Sequence, residues 1–66
     1  MGTLRNTVQS LRMSADITQE ELAQAVGVTR QTIIAVEKGN YSPSVALALR
    51  FAKYFKLPVE KIFSLS

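Results

Sequence analysis

The sequence predicts an all-α fold, a compact bundle of five short helices. Three observations carry that prediction. Apolar residues recur at helical spacing through almost the whole chain, and no run alternates in the manner of a strand. Cap and breaker residues divide this periodicity at short intervals. Finally, 66 residues with 47% hydrophobic and 20% charged content suit one packed domain, residues 1–66, and argue against disorder.

Leu4, Val8 and Leu11 mark a first helix that ends near Ala15. Thr18 opens the second as its N-cap. Glu21 follows three residues later, so "TQEE" reads as a capping box. Leu22, Ala23 and Val26 form the inner face of this helix, and Gly27 stands where a residue of positive φ ends it. Thr29 caps a third helix over 30–38, with Ile33 and Val36 facing inward and Gly39-Asn40 turning the chain out. Ser42-Pro43-Ser44 opens a fourth, "VALALRFAKYF", which runs to about Lys56. Its predicted inward face is Val45, Ala48, Ala52 and Phe55, with Leu47, Phe51 and Tyr54 on an adjacent flank. Pro58 breaks the helix, and "VEKIF" makes a short fifth turn.

A chain of this length lies near the lower limit for independent folding. With no cysteine and no histidine, disulfide or metal reinforcement is not expected, which leaves a tight helical core, a dimer, or both. The same composition speaks against an enzyme. There is no His or Cys to serve as base or nucleophile, no Gly-rich phosphate loop and no carboxylate pair in an obvious cleft. No cofactor and no small-molecule ligand are expected. No apolar run reaches the roughly 18 residues of a membrane span. The N-terminus lacks a secretory h-region, and Asn6 stands where a myristoylation start after Met1-Gly2 wants Ser or Thr. The expectation is a cytoplasmic protein away from membranes. Eight Lys/Arg against five Asp/Glu give a net charge of +3, a weak pointer to an anionic partner.

The informative segment is Gln19 to Lys38. The turn "GVT" joins two short helices too tightly for an antiparallel hairpin, so they must cross steeply, as in a helix-turn-helix with helices about 19–26 and 30–38. Ala23 is small where the helices meet, Gly27 occupies the turn, and Leu22, Ile33 and Val36 have the offsets that lock one helix onto the other.

With these residues in place, "TQEELAQAVGVTRQTIIAVEKGNYSPS" resembles the Cro/C1-type (XRE) helix-turn-helix family of bacterial and phage transcription regulators. "ALALRFAKYFKLPVEKIF" is similar to that family's fourth and fifth helices. The resemblance spans roughly residues 4–63 and implies a lambda-repressor-like DNA-binding domain of the short, single-domain type. It also implies site residues. Gln19 matches a glutamine that touches DNA phosphate. Arg30, Gln31 and Thr32 match the start of a recognition helix that reads base edges, and Ile34, Ala35 and Lys38 continue its outer face. Arg12 and Glu37 match a structural ion pair. The chain departs from the family at Ile34 and Ala35, where Gln, Glu or Asn is common.

Helical geometry supports the same face. At about 100° per residue, Gln31, Ile34, Ala35 and Lys38 share the side of helix 3 opposite Ile33 and Val36. The major groove presents acceptors at guanine, a donor–acceptor pair at adenine and a methyl group at thymine. Arg suits the first, Gln the second, and Ile or Ala the third, while Lys38 suits a phosphate. Asn40, Tyr41 and Ser42 follow in a loop whose amides and hydroxyls can meet phosphate. The expected function is a sequence-specific regulator of double-stranded DNA, a repressor, acting as a homodimer on an inverted-repeat operator. The dimer is expected to use surplus apolar surface of the C-terminal region: Leu47, Phe51, Tyr54, Ile62, Phe63 and Leu65, including "FSLS". The rival reading is an antitoxin-like, partner-controlled interaction module with secondary DNA binding.

Overall fold

The computed structural model describes residues 3–65. Met1 and Gly2, and Ser66 at the end of the "FSLS" segment, lie outside the described residues. The five expected helices are α1 (Val8–Ser14), α2 (Gln19–Val26), α3 (Arg30–Lys38), α4 (Val45–Phe55) and α5 (Val59–Ile62). Two strands accompany them, β1 (Leu4–Asn6) and β2 (Phe63–Leu65), and they pair antiparallel with Leu4 opposite Leu65 and Asn6 opposite Phe63.

The strands correct the reading of Leu4 as the start of the first helix. The Asn6 side-chain carbonyl accepts from Val8 N–H at 3.1 Å, an Asx-type turn that leads the chain out of β1 and into α1, whose N-cap is Thr7. Each strand is three residues long, too short for alternation to be legible. A two-stranded ribbon is marginal alone. Here Asn6 also donates through Nδ2 to the Val36 carbonyl at 2.9 Å, and Thr7 N–H donates to the Ile62 carbonyl at 2.9 Å. The ribbon is thereby fastened to the C-terminal end of α3 and to α5.

The caps form as the sequence indicates. Thr18 Oγ1 accepts from Glu21 N–H at 3.0 Å, and Glu21 Oε1 accepts from Thr18 N–H at 2.7 Å. Gly27 closes α2 at φ 78°, in the left-handed region. A Cβ there would make only ordinary contact with Arg50 Nη1, at 3.6 Å, so φ rather than space calls for glycine. Thr29 caps α3 by accepting from Thr32 N–H, and Ser44 caps α4 by accepting from Leu47 N–H at 3.1 Å.

The core joins Val8, Leu22, Ala23, Val26, Ile33, Val36, Leu47, Phe51, Ile62 and Phe63. The Phe51 and Phe63 rings meet at 5.9 Å between centroids. This shifts the expected facing of α4 toward Leu47 and Phe51. Val45 is 77% exposed, whereas Leu47 and Phe51 are buried, with Ala48, Ala52 and Phe55 half-buried beside them. "VALALRFAKYF" is apolar on two adjacent stripes, so periodicity identifies the helix without choosing which stripe faces in. The Ser44 cap and the packing against α2 and α5 make that choice. Leu47, Phe51, Ile62 and Phe63, expected at a dimer surface, are therefore interior residues of one chain. Of that set, Tyr54 and Leu65 are exposed.

Candidate nucleic-acid interface

Helix α3 owes its placement to α2. Leu22, Ala23 and Val26 pack with Ile33 and Val36 in the common core. Once Ile33 and Val36 are fixed inward, 3.6-residue geometry turns Arg30, Gln31, Ile34 and Lys38 away from the centre. Arg30, Gln31 and Lys38 are exposed, while Thr32, Ile34 and Ala35 are half-buried at the edge of the same face. The Thr29 and Thr32 hydroxyls lie 3.1 Å apart, so Thr32 shares its hydroxyl with the cap. Beyond α3, Gly39 N–H donates to the Val36 carbonyl and Asn40 N–H to the Ala35 carbonyl, both at 3.0 Å. These bonds turn the chain so that Asn40, Tyr41 and Ser42 run exposed toward α4.

A polar network joins this face to α1 and α2. Arg12 Nε donates to Glu37 Oε2 at 2.7 Å, and Nη2 donates to Oε1 at 3.3 Å. Arg12 Nη1 donates to the Ile17 carbonyl at 2.9 Å, and Gln19 Nε2 donates to Glu37 Oε1 at 3.1 Å. The side chains of Arg12 and Glu37 are 13% and 3% exposed, so the pair is half-buried, with the carboxylate the more enclosed partner. An open cleft lies outside it, lined by Arg12, Asp16, Ile17, Thr18, Gln19, Glu20 and Arg30. Two guanidinium groups and the start of α2 border this cleft, against the carboxylates of Asp16 and Glu20.

Of the α3 residues singled out in the sequence, Arg30, Gln31 and Lys38 are exposed and Thr32, Ile34 and Ala35 half-buried, whereas two features of their surroundings were missed. Sequence reading treated Arg12 only as a partner of Glu37, although Arg12 also lines the cleft with Arg30 and Gln19. It also did not join Gln19 to Glu37, because a contact between residues 18 apart on different helices leaves no periodic trace. A bordering charge of this kind could have been suspected only from the tight α1–α2 connection.

Comparison with known proteins agrees with this geometry. A family model described as helix-turn-helix matches residues 8–62. The chain is 48% identical over 60 residues to an uncharacterized HTH-type transcriptional regulator of Methanocaldococcus jannaschii, covering 91% of each protein. It is 47% identical, with the same coverage, to the uncharacterized HTH-type transcriptional regulator YgzD of Bacillus subtilis. It is 35% identical over 57 residues to the cryptic phage CTXphi transcriptional repressor RstR of Vibrio cholerae, covering 86% of this chain and 51% of that protein. In three dimensions it is similar to the restriction-modification controller protein C.AhdI from Aeromonas hydrophila, with a TM-score of 0.74, 26% identity and 80% of each chain covered. No helix among the described residues is long and apolar enough to cross a membrane. A capped α2–α3 pair, a polar outer face on α3 and a family match over most of the chain lead to one conclusion: the protein belongs to the Cro/C1-type helix-turn-helix family of DNA-binding transcriptional regulators, which are not enzymes.

Proposed function

We propose that the protein is a cytoplasmic repressor that binds double-stranded DNA as a homodimer, with α3 in the major groove. The observation that carries this reading is the outer face of α3, where Arg30, Gln31 and Lys38 are exposed around half-buried Ile34 and Ala35. Arg30 offers paired donors to guanine O6 and N7, and Gln31 offers a donor and an acceptor to adenine N6 and N7. Ile34 and Ala35 present hydrocarbon to thymine methyl groups, and Thr32 adds the hydroxyl capacity that Thr29 leaves. Gln19, Lys38, Asn40, Tyr41 and Ser42 take the flanking phosphates, which fix register without reading sequence.

Repression by occupancy is the economical mechanism for so small a DNA-binding unit. Among the relatives, RstR is named a transcriptional repressor, which favours the same sign of regulation here. Dimerisation is proposed to use the C-terminal region, through exposed Tyr54 and Leu65, which are 40% and 75% exposed. A two-fold dimer places its α3 helices in successive major grooves, with half-site centres about 34 Å apart.

Selection of bound sequences from a random duplex library tests this directly. The expected product is an inverted repeat with that spacing. Recovery of a site without dyad symmetry removes the dimer from the proposal, and failure to enrich any sequence removes specific readout. Sedimentation of the free protein and of its complex reports the stoichiometry independently.

A further inference from the structure

Glu37 is not among the residues that line the cleft, yet it links three helices. It belongs to α3, takes two N–H groups from Arg12 of α1, and takes one from Gln19 of α2. Ion-paired with Arg12, the Glu37 carboxylate accepts hydrogen bonds and cannot donate them. That chemistry dictates the orientation of the Gln19 amide. Only its nitrogen can face Glu37; the flipped amide would set its carbonyl oxygen against a carboxylate oxygen at about the same separation. Gln19 is the first residue of α2, and the Thr18 capping box fixes its backbone. Its side chain is thus held at both ends before any ligand arrives. One Nε2–H is engaged by Glu37, while Gln19 itself lines the cleft with Arg12, Thr18 and Arg30.

We propose that Glu37 is a positioning residue for DNA, orienting the Gln19 amide so that its second Nε2–H is presented to a backbone phosphate in this cleft. The inference rests on the reading of Gln19 as a phosphate contact. Without Glu37 the amide turns freely, and in half of its orientations the carbonyl oxygen faces the phosphate and repels it. Binding must then also immobilise the side chain. Together these effects amount to roughly a 3- to 10-fold loss in affinity carried through Gln19. The role is independent of base sequence, so it applies to any duplex.

The test is a double-mutant cycle read as Kd for a short mixed-sequence DNA duplex at low salt, with a melting curve for each protein. The variants are Gln19→Ala, Glu37→Asp and the two combined. Glu37→Asp keeps a carboxylate for Arg12 but shortens it by one methylene, which withdraws it from Gln19. Gln19→Ala is expected to weaken binding several-fold in the parent and hardly at all beside Glu37→Asp. A 15N–1H spectrum of the parent should show one Gln19 side-chain amide proton shifted downfield of its position in free glutamine, as a hydrogen bond to a carboxylate requires, with that shift lost in Glu37→Asp. Additive losses, with Gln19→Ala costing the same in both backgrounds, overturn the positioning role while leaving Gln19 a phosphate contact. No loss from Gln19→Ala in the parent overturns the phosphate reading and the inference with it. If Glu37→Asp does not fold, Gln19 amide protons at their free-glutamine positions in the parent spectrum refute the inference, and one shifted downfield upholds it.

Discussion

Replacing Arg12 by methionine removes the cation from a carboxylate that is only 3% exposed, and supplies a side chain that fills much of the vacated space. Glu37 then keeps only the Gln19 N–H, and the Ile17 carbonyl loses the donor it has at 2.9 Å. Breaking one side of a fully buried ion pair costs about 3–5 kcal/mol, against about 0–1 kcal/mol for a pair in water, so this half-buried pair should cost about 2–3 kcal/mol. A domain of 66 residues has only about 3–10 kcal/mol of stability, at roughly 0.05–0.15 kcal/mol per residue. Arg12→Met therefore removes a large share of the protein's stability. Removing both charges, as Arg12→Met with Glu37→Leu, should recover a large part of the loss, because no buried ion is left without a partner. The assay is urea denaturation followed by far-ultraviolet circular dichroism. It is run at several protein concentrations, so that any linkage to self-association is seen. A loss below about 1 kcal/mol for Arg12→Met would mean that the pair behaves as a solvent-screened one. A double variant no more stable than Arg12→Met would equally refute the reasoning.

Gln31→Ala is expected to cost on the order of 1–3 kcal/mol on the selected operator and little on random duplex, with an unchanged melting curve because the side chain is exposed; equal losses on both DNAs would make Gln31 a phosphate contact. Lys38→Ala should weaken binding alike on all sequences and flatten the dependence of log Kd on log salt by about one phosphate contact. A changed base preference with the slope intact would make Lys38 a base reader. Leu47→Ala should destabilise the fold by about 2–5 kcal/mol at every protein concentration, since Leu47 is 4% exposed within one chain. Leu65→Ser should leave the fold largely intact and shift only the monomer–dimer equilibrium measured by sedimentation; an unchanged equilibrium removes Leu65 from the proposed dimer surface.

The parts of the fold legible in the sequence are those set by local chemistry. Thr18 with Glu21, Gly27 and Thr29 bound α2 and α3 through contacts made within a few residues, and those contacts are visible as spacing. The face of α3 follows because Ile33 and Val36 are its apolar residues at matching offsets, which leaves one side to point outward. Helix α4 lacks that asymmetry. With Val45, Ala48, Ala52 and Phe55 on one stripe and Leu47 and Phe51 on the next, tertiary packing decides the facing, and the decision buries most of the residues assigned to a dimer. The β1–β2 ribbon and the Gln19–Glu37 hydrogen bond were illegible for a related reason. Each joins segments far apart in the chain through one or a few polar contacts, with no repeating pattern to announce them.

The pairing of Leu4 with Leu65 has a kinetic consequence. The helix–helix contacts of the core connect elements near one another in the chain, whereas the ribbon joins its two extremes. Loop-closure entropy makes such a contact the slowest to pay off, so the helices should assemble first and the ribbon should zip last, onto a surface that α3 and α5 have already built. Phe63 and Leu4 anchor it to the core, while Arg5, Ser64 and Leu65 along it are exposed. In hydrogen exchange its amides should open well before those of α2 and α3, and without global unfolding. Each opening also releases the Asn6 side chain from the Val36 carbonyl, at the end of the helix that carries the outer face. The last turn of α3 is thereby tied to the part of the domain expected to open first, while its first turn is anchored by the Thr29 cap.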